Sequence, residues 1–358
     1  MYKVGVRLGG SARVVGDPVK SLLASKGSLY LAGGCELCIP GVKAVIFVTG
    51  LCDDSCFYCP VSRSKLGYDV FYVNERRVYS VEEAVAEVAR MGAEGASLTG
   101  GDPLLPLHRT LPLISALKDN MGGGFHIHLY TSGRRAYGEV LRALWRAGLD
   151  EIRFHPTSPD LVERVGLAKR VTGLRVGVEI PIAPGMEEWA VKVISKAERL
   201  GADFVNLNEM EIVEPNARAL LARGYRESSV RPFTVEGSLE AALKVLEWAS
   251  ENSSIPVHFC PASFKDGLQT GNRLRRTAER DLYWYEEATD SGTVVWGELR
   301  GSLPSWLRAL ACRPGAACLP PRPRALEVLA EKLGLEAYIV EAHPTADRRP
   351  VVREVRLL

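Results

Sequence analysis

The 358-residue sequence has no run approaching the roughly 18 consecutive apolar residues of a membrane-spanning helix, so no membrane partner is expected. Its opening, MYKVGVRLGGSARVV, lacks an apolar h-region, and a secretory signal is not expected there. Charge of one sign is missing as well. Forty-five Lys and Arg stand against 43 Asp and Glu, a net charge of +2, which excludes a histone-like or ribosomal type and confines any nucleic-acid contact to a local patch. There is no internal repeat, and low complexity is limited to PPRPR at 320–324. With 46% apolar and 25% charged residues, the composition is that of a folded cytoplasmic protein rather than a disordered chain.

Cysteine is what the sequence has in excess. Eight Cys in an apparently intracellular chain point to metal or catalytic chemistry before disulfides. Cys35, Cys38, Cys52, Cys56 and Cys59 crowd into 25 residues, a density that packing of small hydrophobes does not explain. Cys260 stands apart. Cys312 and Cys318 flank RPGAA near the end, where free thiols, a local disulfide and weak metal ligation all remain open.

From Val42 to about Pro261, short apolar runs alternate with helical periods. Strands are expected at 42–50, 95–103, 125–133, 151–156, 175–185 and 204–214, closing with IPVHFCP. Helices are expected between them, one opening at Ser80 with Glu83 in a capping box. Six or seven such units imply a parallel sheet covered by helices, with its site at the strand C-terminal ends. The division expected is a 1–41 lead-in carrying C-x2-C, an α/β barrel over 42–261, and a 262–358 extension. That extension should hold a small α/β unit, with a helix at 325–334 and strands at 336–343 and 351–358.

Directly after the first strand, GLCDDSCFYCP places Cys52, Cys56 and Cys59 as C-x3-C-x2-C. Three thiolates on one loop can hold three irons of a [4Fe–4S] cluster and leave the fourth open. An open coordination position separates a catalytic centre from a closed structural one.

This loop, with Tyr58 just before its last Cys, resembles the signature of the radical S-adenosylmethionine (SAM) superfamily. The wider pattern is similar to the proteins described as related to pyruvate formate-lyase activating enzyme. The resemblance implies a partial or full parallel (β/α) TIM-like barrel. It also implies a [4Fe–4S] cluster on Cys52, Cys56 and Cys59 that cleaves SAM reductively to a 5′-deoxyadenosyl radical, which abstracts hydrogen from substrate. An electron donor such as a ferredoxin or flavodoxin follows. Tyr58 would lie near the adenine. Gly100-Gly101-Asp102-Pro103 looks like the family's GGE(P) motif, whose backbone and carboxylate would receive the SAM ammonium; Asp here is one methylene shorter than Glu.

Thr131 and Ser132 end the third strand, where the family carries a polar segment near SAM or substrate. Arg153 suits the SAM carboxylate, since a guanidinium binds it bidentately. Arg153 and His155 alternate with Phe154 on the fourth strand, so both point to one side and should face the barrel interior. Glu179, Asn206 and Asn208 are polar residues in apolar strands and suit the SAM ribose and carboxylate. Cys35, Cys38 and Cys260 would converge on a second Fe–S cluster, with zinc on the same thiols and His258 as the rival. Arg273, Arg275, Arg276 and Arg280, followed by Tyr283, Trp284 and Tyr285, could meet phosphates and stack bases. A solvated helix packing through Leu274, Leu282 and Trp284 competes with that reading. A macromolecular substrate, tRNA base or protein, is therefore expected. A glycyl-radical activase and a non-catalytic, zinc- or cluster-stabilised binding module are the alternatives.

Overall fold

The computed structural model describes residues 32–358, the side chains at 266–268 excepted, so only 32–41 of the expected lead-in falls inside it. A short helix, α1 (Gly33–Glu36), precedes β1 (Lys43–Thr49). A hairpin of β2 (Phe71–Val73) and β3 (Arg76–Val78) pairs antiparallel with β1. Six further strands continue the sheet in parallel: β4 (Gly95–Gly100), β5 (His126–Thr131), β6 (Glu151–Phe154), β7 (Arg175–Ile182), β8 (Phe204–Glu209) and β9 (Val257–Cys260). The order β3-β2-β1-β4-β5-β6-β7-β8-β9 does not return on itself, so the expected barrel is a partial one.

The crossovers are α2 (Val81–Arg90), α3 (Leu107–Met121), α4 (Gly138–Arg146), α5 (Glu163–Val171) and α6 (Glu187–Arg199), then α7 (Glu214–Leu221) and α8 (Ser238–Asn252). Ser80 caps α2 as expected, its side chain accepting from Glu83 N at 3.2 Å. The strands read with period 2. Ile127, Leu129, Ile152, Phe154, Val176, Val178, Val205, Leu207 and Phe259 belong to one buried cluster with helix residues such as Leu113, Leu141, Val193 and Val245. The alternate positions carry His126, His128, Tyr130, Glu151, Arg153, Glu179, Asn206 and Asn208. They touch one another and the short α1, so the partial barrel has a polar interior.

The segment after β9 departs from the expected charged helix. A π-helical turn (Phe264–Thr270) leads into α9 (Gly271–Arg280), which stops before the Tyr-Trp-Tyr triplet. Arg273 is buried and grips Glu75 of the β2–β3 turn with two hydrogen bonds of 2.8 and 2.7 Å. Arg276 donates to Gly92 O. Both are therefore engaged inside the protein rather than offered to phosphates. Leu274 packs inward as expected, but Leu282 and Trp284 are exposed. By tying β3 to the segment after β9, α9 spans the open side of the barrel.

The C-terminal sheet runs β12-β13-β11-β14-β15, with β10 (Glu287–Ala288) beside β11. Its strands are β11 (Val294–Arg300), β12 (Ala311–Arg313), β13 (Ala316–Leu319), β14 (Glu336–Ala342) and β15 (Val351–Arg356). After the short α10 (Ser305–Arg308), α11 (Pro323–Leu333) lays Leu326 and Ala330 on Leu299 and Ala337. Sequence reading found α11, β14 and β15 and missed the central β11. Its alternation is broken at Gly297, where α11 comes so close that a Cβ would strike Leu326. Of the readings open for Cys312 and Cys318, the structure shows the local disulfide, which closes the β12–β13 hairpin.

Candidate functional site

At the C-terminal ends of the parallel strands lies a cleft of about 370 Å³, where a parallel α/β sheet places its chemistry. One wall is the loop after β1. Its stem is pinned by Gly50 N to Tyr68 O (2.9 Å) and Gly67 N to Gly50 O (2.8 Å). Cys52, Cys56 and Cys59 all line the cleft from this loop and are partly exposed. Burial pushes the Cys52 thiol up and the Cys56 thiol to about 11, so loading a metal there must displace protons.

Two acidic residues inside the loop fasten it to the opposite rim. Asp54 accepts from Arg134 Nε (2.8 Å) and Thr157 Oγ1 (2.8 Å), and Asp53 accepts from Arg135 Nε (2.6 Å). Burial opposes ionisation of Asp54, but bonds from Arg134, Thr157 and Ser132 hold its carboxyl below the ordinary range. Asn216 Nδ2 donates to Tyr58 O, tying the loop to α7. These anchors were missed in the sequence. The signal was present: an Asp-Asp pair in the cysteine loop and an Arg-Arg pair just after β5.

The facing wall is the Gly100-Gly101 turn. Gly100 has φ +141°, and a Cβ there would collide with Thr49 O; one on Gly101 would collide with Leu51 O. Gly101 N and Asp102 N donate to those same carbonyls at 2.7 Å. The glycines are thus required by contact between this turn and the root of the cysteine loop. They also leave an uncovered backbone facing the three thiols.

Asp102 departs from the role expected of it. It is 2% exposed and does not line the cleft. It accepts from Leu104 N, Thr131 Oγ1, Ser132 N and Ser132 Oγ at 2.8–3.2 Å. Burial still raises its pKa against those bonds. It staples the β4 and β5 turns together from behind instead of presenting a carboxylate to a ligand, and Pro103 lies buried beside it. Thr131 and Ser132 do line the cleft, oriented by Asp102.

Arg153 also departs from expectation. It is 1% exposed beneath the cleft, with Nε on Glu151 (2.6 Å) and Nη1 on Glu179 (3.1 Å) and Tyr130 Oη (3.0 Å). With Nε and Nη1 held by the two carboxylates, and Nη2 buried without a partner, it forms part of the floor under the cleft rather than its lining. Glu179 lines the cleft and accepts from Asn206 (3.2 Å) and Asn208 (2.8 Å). Burial opposes its charge, but Arg153 and the two amides hold its carboxyl below the usual range. Asn206 is buried below, whereas Asn208 reaches the cleft with its Oδ1 buried and unpartnered. Tyr58 lines the cleft and donates its hydroxyl to His155 Nε2 (2.9 Å). His155 Nδ1 meets Glu179 O (2.8 Å), an acceptor only, so Nδ1 carries the proton.

Cys35 and Cys38 enter the barrel interior on the α1 segment. Arg153 Nη1 and Asn206 Nδ2 approach Cys35 Sγ at 3.4 and 3.6 Å. Cys260 ends β9 in register with Asn208, and burial raises its thiol to about 12. Zinc with Zn–S near 2.3 Å needs sulfurs about 3.8 Å apart. Among the described residues, no ligand group gathered within 4.8 Å contains Cys35, Cys38, Cys260 or His258. The zinc rival is therefore not preformed.

Three thiols facing a side-chain-free backbone turn, with hydroxyl, imidazole, carboxylate and amide groups around one opening, fit a cluster and a nucleotide sharing the cleft. Comparisons agree. The radical SAM superfamily profile matches residues 46–206. A Methanocaldococcus jannaschii protein, provisionally named a glycyl-radical enzyme activating enzyme, is 34% identical over 352 residues, covering 90% of this chain and 92% of its own length. Among solved structures, Streptococcus suis SuiB bound to its precursor peptide aligns at TM-score 0.49 and 10% identity, over 73% of this chain and 58% of that one. Escherichia coli coproporphyrinogen III oxidase aligns at TM-score 0.38 and 11% identity, over 56% and 50%.

Proposed function

The chain belongs to the radical SAM superfamily, and from that premise we propose that it activates a protein partner by removing a hydrogen atom from one of its glycines. Membership makes it an enzyme and sets aside the non-catalytic binding module. In this family a [4Fe–4S] cluster passes one electron to SAM, releasing methionine and a 5′-deoxyadenosyl radical that takes hydrogen from substrate. Cys52, Cys56 and Cys59 would hold that cluster, their loop fixed in advance by Asp53, Asp54 and Asn216. Gly100 and Gly101 give a ligand close access to backbone, and Tyr58, held by His155, presents a ring at the adenine side. Thr131, Ser132, Glu179 and Asn208 supply donors and acceptors for the polar parts of SAM.

The observation that carries the reading is the cleft itself, with three thiols and the Gly-Gly turn on facing walls of one opening. The glycine substrate is supported by the activating-enzyme relative, which is 34% identical and covers 90% of this chain, more than the barrel alone. The tRNA alternative loses support because Arg273 and Arg276 of the basic segment are held by Glu75 and Gly92.

The test is anaerobic reconstitution with SAM, a flavodoxin or ferredoxin donor, and a glycyl-radical enzyme carrying α-deuterated glycine. The proposal predicts deuterium in 5′-deoxyadenosine and a protein-centred radical by electron paramagnetic resonance, a doublet with the unlabelled partner that collapses when the α-position is deuterated. Unlabelled 5′-deoxyadenosine together with a modified tRNA nucleoside would contradict it. Cys35, Cys38 and Cys260 are assigned to a second cluster, supported by the two N–H donors aimed at Cys35 Sγ. Replacing all three with Ala should halve the iron content, from about eight to about four per chain, if each site holds one [4Fe–4S] unit. An unchanged count would end that assignment.

A further inference from the structure

At the opposite end of the partial barrel, the geometry points to a separate mononuclear metal site, in which one divalent transition-metal ion is held by His126, His128 and Glu151. None of the three lines the cleft, and the inference does not depend on the radical chemistry. His126 and His128 lie at i, i+2 on β5, so both face one side of the sheet. Glu151 opens β6 directly opposite His128 in the ladder. One ligand atom from each lies within 4.8 Å of the others.

These ligand atoms are also short of hydrogen-bond partners. His128 is fully buried, and neither of its ring nitrogens has a hydrogen-bond partner. A neutral imidazole carries one donor and one acceptor, and burying both unpaired is costly. His126 Nε2 and Glu151 Oε2 are buried without a hydrogen bond at the same place, Oε2 having only a long ion pair to Arg175. A single shared ion would take one nitrogen of each imidazole and Glu151 Oε2, so that each of the three residues gains a partner, with the other His128 nitrogen carrying the proton.

The surroundings fit a metal site. Glu151 Oε1 accepts from Arg153 Nε at 2.6 Å, which orients the carboxylate and leaves Oε2 for the ion, as outer-shell partners of metal ligands do. Arg175 Nε stands 3.9 Å from Oε2, beyond hydrogen-bond reach. Gly34 has no side chain to crowd His128, and a Cβ there would strike its Nδ1. A groove of about 470 Å³, lined by Gly33, Leu37, Glu94, Phe125 and His126, reaches the site from the barrel base. Arg153 and Lys43 act electrostatically on His128 and Glu151. These two cations disfavour a hard ion held by charge alone and favour a metal that imidazole nitrogen binds well, such as zinc or ferrous iron. Three protein ligands leave a fourth position for water.

The test uses the full chain with Cys35, Cys38, Cys52, Cys56, Cys59 and Cys260 replaced by Ala, so that neither thiol site can contribute. After loading with Co²⁺ and dialysis, about one cobalt per chain should remain, with weak visible bands and no thiolate charge-transfer band. His128→Ala and Glu151→Gln should each lower retention roughly tenfold or more, while Gly123→Ala, where nothing lies within 4 Å of the added Cβ, leaves it unchanged. In the same chain, zinc should raise the melting temperature and a chelator reverse the rise, which covers the case that His128→Ala does not fold. A buried water would satisfy the same atoms. Under a tenth of an equivalent of cobalt, equal retention by the Glu151→Gln chain, or a thiolate band would each overturn the site.

Discussion

The collision of a Gly101 Cβ with Leu51 O couples two loops through one missing methyl group. Gly101→Ala must push the β4 turn off the cysteine loop and break the 2.7 Å bonds of Gly101 N and Asp102 N. Loss of at least one such bond, with its partner left buried, costs about 1–3 kcal/mol, to be read from denaturant unfolding and accompanied by weaker SAM binding. Gly123→Ala, where nothing lies within 4 Å of the added Cβ, should stay within about 0.5 kcal/mol of the parent. The site was legible in the sequence where chemistry dictates residue type and spacing, as for Cys52, Cys56, Cys59 and the Gly-Gly turn. It was illegible where burial decides the role. Asp102 and Arg153 carry the charges a SAM ligand would need, yet Asp102 is consumed by Thr131, Ser132 and Leu104, and Arg153 is buried with Nε and Nη1 on Glu151 and Glu179.

Among elements, α9 has the most to do for its length, since its Arg273 pair with Glu75 spans the gap between β3 and β9. Burial opposes charge on Glu75, but Arg273 prevails and holds its pKa below the ordinary 4.5. A carboxyl lowered in the folded state contributes stability that is present above the unfolded value and lost as pH falls through the folded one. The melting temperature should therefore drop on acidification below about pH 4.5, and more steeply in the parent than in Glu75→Gln. At neutral pH Glu75→Gln leaves Arg273 buried without its counter-ion and should cost about 3–5 kcal/mol. A flat acid limb in the parent would refute the latch. The parallel strands were readable because continuous apolar runs ending in Gly or polar residues have few other solutions. The latch was not, because a basic helix looks the same in sequence whether its arginines meet solvent, phosphate or a glutamate 198 residues away. β11 was hidden by Gly297, a position set by the approach of α11.

At the scale of the whole molecule, the polar interior connects two ends with different tasks. The C-terminal ends of the strands present Cys52, Cys56 and Cys59 across from Gly100 and Gly101, and the N-terminal ends gather His126, His128 and Glu151. Between them Arg153, Glu179, Asn206 and Asn208 form a bonded floor that keeps the upper cleft in shape. The central claim is that the three thiols of one loop together hold the centre that cleaves SAM. The most direct measurement is 5′-deoxyadenosine released per chain after anaerobic reconstitution with iron and sulfide, then addition of SAM and dithionite. The account predicts release by the parent chain and none above background from each of Cys52→Ala, Cys56→Ala and Cys59→Ala. Release that survives any one of those replacements would contradict it.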